Sequence, residues 1–171
     1  MAGIFGIASR KNCVGDLFLG TFYLQHRAQD YCGFGLYDGK RAAQGYAHRG
    51  LLKQQFPKER LARLEGFYGI GCVSSERQPV SELSKAGGYI IAFDGNIINA
   101  KELRDLLLRE GAGFSGYRSP EEIKDVVLVS RIISSQPNFV LGIKKLINVV
   151  KGDFAIVALT RKGVYAARGW G

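Results

Sequence analysis

Residues 3–8 form a short, apolar, β-prone stretch that predicts a strand starting almost at the beginning of the sequence. In residues 13–29, Leu17, Phe18, Phe22 and Leu24 recur at helical spacing, the pattern of a helix lying on a sheet. Residues 33–36 and 42–47 read as strands around Tyr37-Asp38-Gly39-Lys40, where Asp-Gly is a strong hairpin signal. Residues 53–64 are polar and basic and predict a surface loop with a helical turn. Strand character returns at 67–74 and 89–93, across a polar loop containing Pro79.

Two helix starts are marked by local chemistry. Asn99 precedes Ala100-Lys101-Glu102, a capping residue with Glu three places later, and Leu103, Leu106 and Leu107 form the stripe that follows. Ser119-Pro120-Glu121-Glu122 places Pro in a first helical position, with a stripe through Ile123, Val126, Val127 and Val129 toward Ile133. A third helix over residues 138–149 carries Val140, Leu141, Ile143, Leu146 and Ile147. Residues 153–159 and 164–167 close as a hairpin across Thr160-Arg161-Lys162-Gly163. Strands lie early and late with helices between, which suits an α+β fold: two stacked sheets with helices outside, a four-layer α-β-β-α sandwich. Without an internal repeat or a linker, residues 1–171 are expected to form a single domain.

Charge changes this picture little. The chain carries a net charge of +9, but the excess is spread: residues 1–63 hold 10 basic and 4 acidic residues, 64–110 hold 5 and 7, and 111–171 hold 9 and 4. With no nucleic-acid-binding motif beside it, a solvated basic surface is the expected reading, and an acidic partner protein would be attracted equally well. No apolar run approaches the roughly 20 residues of a membrane-spanning helix, and the opening residues lack a signal-peptide pattern, so a cytoplasmic location is expected. Three cysteines without a CxxC pair fit that expectation, and two histidines without paired spacing give no metal signature.

Four segments, in order, resemble the glutamine-hydrolysing domain of amidophosphoribosyltransferase and its relatives, the N-terminal-nucleophile or class-II glutamine amidotransferases. Ala2-Gly3-Ile4-Phe5-Gly6-Ile7 is similar to the family's Cys-Gly-Ile-x-Gly. Leu24-Gln25-His26-Arg27-Ala28-Gln29-Asp30 resembles its Leu-Gln-His-Arg-Gly-Gln-Asp. Phe93-Asp94-Gly95-Asn96-Ile97-Ile98-Asn99 with Glu102-Leu103-Arg104 resembles its His-Asn-Gly-Asn-Leu-x-Asn-x-x-Glu-Leu-Arg. Gly152-Asp153-Phe154 and Ala166-Ala167-Arg168 match its closing strands. Beyond Arg168 the family continues with further sheet, and its phosphoribosyl-transfer stretch has no counterpart here. The resemblance thus implies the glutamine-hydrolysing part alone, shortened at its end, with no cofactor.

The resemblance also implies a reaction in which a leading cysteine attacks the glutamine amide, giving a glutamyl thioester and ammonia. Ala2 stands at that cysteine, and loss of a covalent nucleophile costs about 10⁶-fold in rate. The family's oxyanion hole uses an Asn amide and the following Gly N–H; here the pair is Asp94-Gly95, and an ionised Asp94 would repel the oxyanion. Ser74 aligns with the Arg that holds the substrate carboxylate, although Arg77 lies three residues further on. Ser119 aligns with the Asp that holds the substrate ammonium, with Glu121 retained.

Arg27 is expected to form a buried structural ion pair with Asp30 or a carbonyl, and His26 to be a packed, hydrogen-bonded side chain. Cys13, Cys32 and Cys72 are core candidates; Cys72 could alternatively replace the missing thiol. Asp94 either caps a turn or binds a cation or amine. The remnant pocket is expected at Arg27, Ser74, Asp94, Gly95 and Ser119. The leading expectation is a domain that has lost glutamine hydrolysis and acts as a binding, regulatory or assembly module. It would have a protein partner or form a homo-oligomer, and a small molecule could occupy the remnant pocket. The alternatives are a repurposed amidohydrolase and an ammonia-delivering subunit of a larger complex.

Overall fold

The computed structural model describes residues 1–114 and 117–170. Strand β1 (Ala2–Ala8) runs antiparallel to β4 (Tyr68–Ser74), which carries β2 (Tyr31–Tyr37) and then β3 (Gln44–Arg49) on its other side. A second antiparallel sheet has the order β5 (Val80–Ser84), β6 (Gly87–Gly95), β7 (Phe154–Thr160), β8 (Gly163–Gly169). Ile70, Cys72, Ile90, Ala92 and Leu159 are buried between the sheets. Helix α1 (Val14–Phe22) covers the outer face of the first sheet, with Cys13, Val14 and Leu17 buried against Cys32, Phe34 and Val73. Helices α4 (Ala100–Arg109), α5 (Asp125–Ser134) and α6 (Phe139–Val149) cover the second sheet through Leu103, Leu107, Val129, Ile133 and Leu146. The expected α-β-β-α sandwich is therefore the architecture.

The alternation along β4 explains why the layers can form. Gly71 and Val73 face α1 while Ile70 and Cys72 face the other sheet, so one strand serves two cores. At Gly71 a Cβ would collide with the Thr21 hydroxyl, so glycine is what lets α1 lie this close to the strand.

Several local expectations are corrected. The helix expected over residues 13–29 ends at Phe22, and Gln25–Arg27 forms a separate 3-10 turn. There the Gln25 side chain leaves the helical pattern to bind the Ala28 carbonyl and the Leu52 N–H. Residues 53–64 are more than a surface loop. Short helices α2 (Leu52–Gln55) and α3 (Lys58–Leu61) bring Leu52 and Phe56 into the core, with the Phe56 ring 4.3 Å from that of Phe34. The loop expected around Pro79 contains β5, whose alternating half-buried and exposed residues mark a sheet edge. Asn99 does not cap α4 with its side chain. It instead donates to the Val149 carbonyl and accepts from the Lys151 N–H, tying the start of α4 to the end of α6. Pro120–Glu122 is a 3-10 turn, and α5 begins only at Asp125. On α6 the Asn138 side chain caps the helix by accepting from the Leu141 N–H, and the buried face is Phe139, Gly142 and Leu146, leaving Val140, Leu141 and Ile147 exposed.

Candidate functional site

Strand register assembles the site. Ala2, first residue of β1, lies opposite Ser74, last residue of β4, and the end of β6 brings Asp94 and Gly95 up from the second sheet. A cavity of about 130 Å³ is lined there by Met1, Ala2, Ser74, Ser75, Glu76, Gln78, Phe93, Asp94, Gly95 and Asp125. That is smaller than the 300 Å³ or more usual for a small-molecule pocket.

The polar groups around Ala2 are engaged with one another. The Ala2 N–H donates to Asp94 Oδ1 at 2.6 Å, and Arg27 Nε donates to the Ala2 carbonyl at 2.6 Å. Arg27 Nη2 closes the ring with Asp94 Oδ2 at 2.8 Å. Arg27 thus binds a carbonyl, as expected, but its ionic partner is Asp94 rather than Asp30, and the pair is open to solvent rather than buried because it lies at the strand ends. His26 is exposed and bonds the Tyr23 carbonyl through Nδ1 at 2.9 Å, so it is bonded but not packed. Gly95 takes φ +149, and a Cβ there would overlap the Asp153 carbonyl and Phe154, so this corner requires glycine.

The opposite wall is a hydrogen-bonded plug. Ser74 is buried, and its hydroxyl accepts from the Glu76 N–H and from Gln78 Nε2, both at 3.0 Å. Gln78 also brackets the Phe93 backbone, donating to its carbonyl at 3.0 Å and accepting from its N–H at 2.7 Å. Ser74 therefore spends both acceptor sites of its hydroxyl on this wall and offers no positive charge to a ligand carboxylate.

Ser119 is not brought into this cavity. It lines a separate surface depression with Leu108, Tyr117 and Pro120. Its hydroxyl helps hold the Glu121 carboxyl below its usual range, after the larger effect of that residue's own backbone N–H. The acid that does reach the cavity is Asp125, which bonds Arg104 at 3.3 Å. Burial pushes its carboxyl upward, opposed by Arg104 and reinforced by Glu76. Asp125 and Gln78 escaped the sequence reading because neither lies in a matched motif; the acidic start of α5 was the one available signal. Cys72 does not replace the missing thiol. It faces the interior between the sheets, and burial holds its thiol far above the ordinary value, where no thiolate forms. Cys13 and Cys32 are also buried on the α1 side, as expected.

This fold, with the start of β1 and the Asp94-Gly95 corner meeting at one cavity, defines the class: a class-II glutamine amidotransferase domain of the N-terminal-nucleophile type. A family described as "Glutamine amidotransferase domain" matches residues 63–169, and the chain belongs to that family. Among individual proteins it is similar to the amidophosphoribosyltransferases of Methanothermobacter thermautotrophicus (31% identical, 97% of this chain, 37% of that one) and Methanocaldococcus jannaschii (31%, 100% and 38%). It also superposes on the B. subtilis glutamine phosphoribosylpyrophosphate amidotransferase complexed with ADP and GMP, with TM-score 0.83, 25% identity, and coverage of 98% of this chain and 37% of that one. The chain thus spans little more than a third of the length of these relatives.

Proposed function

We propose that this glutamine amidotransferase domain no longer turns over glutamine and acts, in the cytoplasm, as a binding, regulatory or assembly module for a protein partner or a second copy of itself. The observation that carries this reading is the Asp94 carboxylate, 2.6 Å from the Ala2 N–H and 2.8 Å from Arg27, beside a methyl group at the nucleophile position. A thiolate route needs a nucleophile at residue 2 and a donor at residue 94. Ala2 supplies no nucleophile, and the carboxylate of Asp94 is an acceptor with its charge already matched to Arg27. The nucleophile accounts for about 10⁶-fold in rate and an oxyanion donor for about 10²–10³-fold. The two factors do not simply multiply, because residues that act as one catalytic unit are not additive, but the missing nucleophile alone argues against useful turnover.

Glutamate release from glutamine by the purified protein is the direct test: no turnover above background is expected, and turnover at rates ordinary for amidotransferases would overturn the reading. Ala2→Cys alone is expected to remain inactive. Ala2→Cys with Asp94→Asn restores the nucleophile and the amide donor, and is expected to give more glutaminase than either single variant.

A further inference from the structure

On the other side of the Ser75–Glu76 wall lies a larger cavity, of about 550 Å³, within the range of small-molecule sites. It sits where the chain crosses between sheets, flanked by β3 (Gly45, Ala47) and β5 (Val80, Ser81), the edge strands of the two sheets. Its apolar surface comes from Ala47, Pro79, Val80 and Val127, and its polar surface from Tyr31, Tyr117, the Ser75 and Ser81 residues, Glu76, Arg77 and Lys124. The charges are unequal. Glu76 is matched by Lys124 at 3.3 Å, whereas Arg77 has no ion-pair partner among the described residues. Arg77 is exposed, and its backbone position is set by its neighbour Gln78, which is buried and bonds both the Phe93 carbonyl and the Phe93 N–H. Its field reaches the neighbouring strand β3, where His48 is held below its ordinary pKa by burial first and then by Arg60 and Arg77.

A guanidinium without an ion-pair partner among the described residues, at the wall of a roomy, part-apolar cavity with tyrosines in its lining, is suited to a carboxylate or phosphate carrying an apolar body. The geometry points to this cavity as a binding site for a small organic anion, with Arg77 engaging its carboxylate or phosphate, and Pro79, Val80 and Val127 receiving its apolar part. The site is separate from the remnant pocket at Ala2 and Asp94, and the inference holds whether or not glutamine turnover survives.

The test is an amide-resonance titration of the full chain with phenyl phosphate, benzoate and, as a neutral control, benzyl alcohol. Phenyl phosphate or benzoate is expected to give saturable shifts at Gly45, Ser75, Arg77 and Ser81 with Kd at or below about 5 mM. Whichever anion binds more tightly identifies phosphate or carboxylate as the recognised group. Arg77→Ala should weaken binding by about 10- to 100-fold and Arg77→Lys by less, with unchanged spectra in the absence of ligand. Asp94→Asn should leave it unaltered. Four results would overturn the inference: no saturable shift with either anion, equal binding by benzyl alcohol, undiminished binding to Arg77→Ala, or shifts centred on Ala2 and Gly95.

Discussion

At the scale of single residues, Asp94 does the most to change what this site can do. An Asn at this position offers an amide donor, whereas Asp94 offers two acceptor oxygens, taken by the Ala2 N–H and by Arg27. The side chains of Arg27 and Asp94 are 39% and 24% exposed, so solvent screens the pair and its contribution to stability is modest. Asp94→Ala is expected to cost about 1–2 kcal/mol, and Asp94→Asn less because it keeps an acceptor for Ala2. Urea denaturation measures this; a loss below about 0.5 kcal/mol for the Ala variant would show that Arg27 and Ala2 are held by other contacts. Ala2, Asp94 and Gly95 were legible in the sequence because they fall inside motifs. The partner of Arg27 was not, since Asp30 is near in sequence while Asp94 is 67 residues away and arrives only through the sheet packing.

At the scale of elements, Tyr89 links sheet to helix. It lies on β6, is buried, and its hydroxyl donates to the Ser130 carbonyl on α5 at 2.8 Å. Burial first, against the relief given by Ser130, pushes its phenol up to about 12. The ordinary tyrosine value is about 10. A folded pKa above the unfolded one contributes stability that is fully present below pH 10 and is lost as pH rises through about 12. Tyr89→Phe is expected to cost about 1 kcal/mol at pH 8. Its disadvantage relative to the native chain should shrink between pH 10 and 12, which paired denaturation curves at the two ends of that range would detect. Elements with strong periodicity were legible: β1, β4, β7 and α6 lie within a residue or so of the expected bounds. The edge strand β5 was hidden by its polar outer positions, and the end of α1 by apolar residues that continue past it into a different turn.

At the scale of the whole molecule, the two sheets share one interior. Leu159 lies fully buried among Ile70, Cys72, Ile90 and Val157, touching residues of both sheets. Leu159→Ala is expected to cost about 2–4 kcal/mol and to shift secondary-structure and near-ultraviolet signals together. Separate transitions for the two signals would mean that the sheets do not depend on a common core.

The sequence by itself determined the layer order, the class of fold and the alanine at residue 2, because hydrophobic period and short motifs are local properties. It also marked Ser74 and Asp94 as candidate site positions. Only the tertiary structure decided which groups meet. Register set Ala2 against Ser74, sheet stacking delivered Asp94 to Arg27, and the position of α5 put Asp125 rather than Ser119 at the cavity. The crossover between sheets opened a second cavity beside Arg77. These are contacts between residues far apart in the chain, fixed by how faces pack, and no local pattern of residues encodes them.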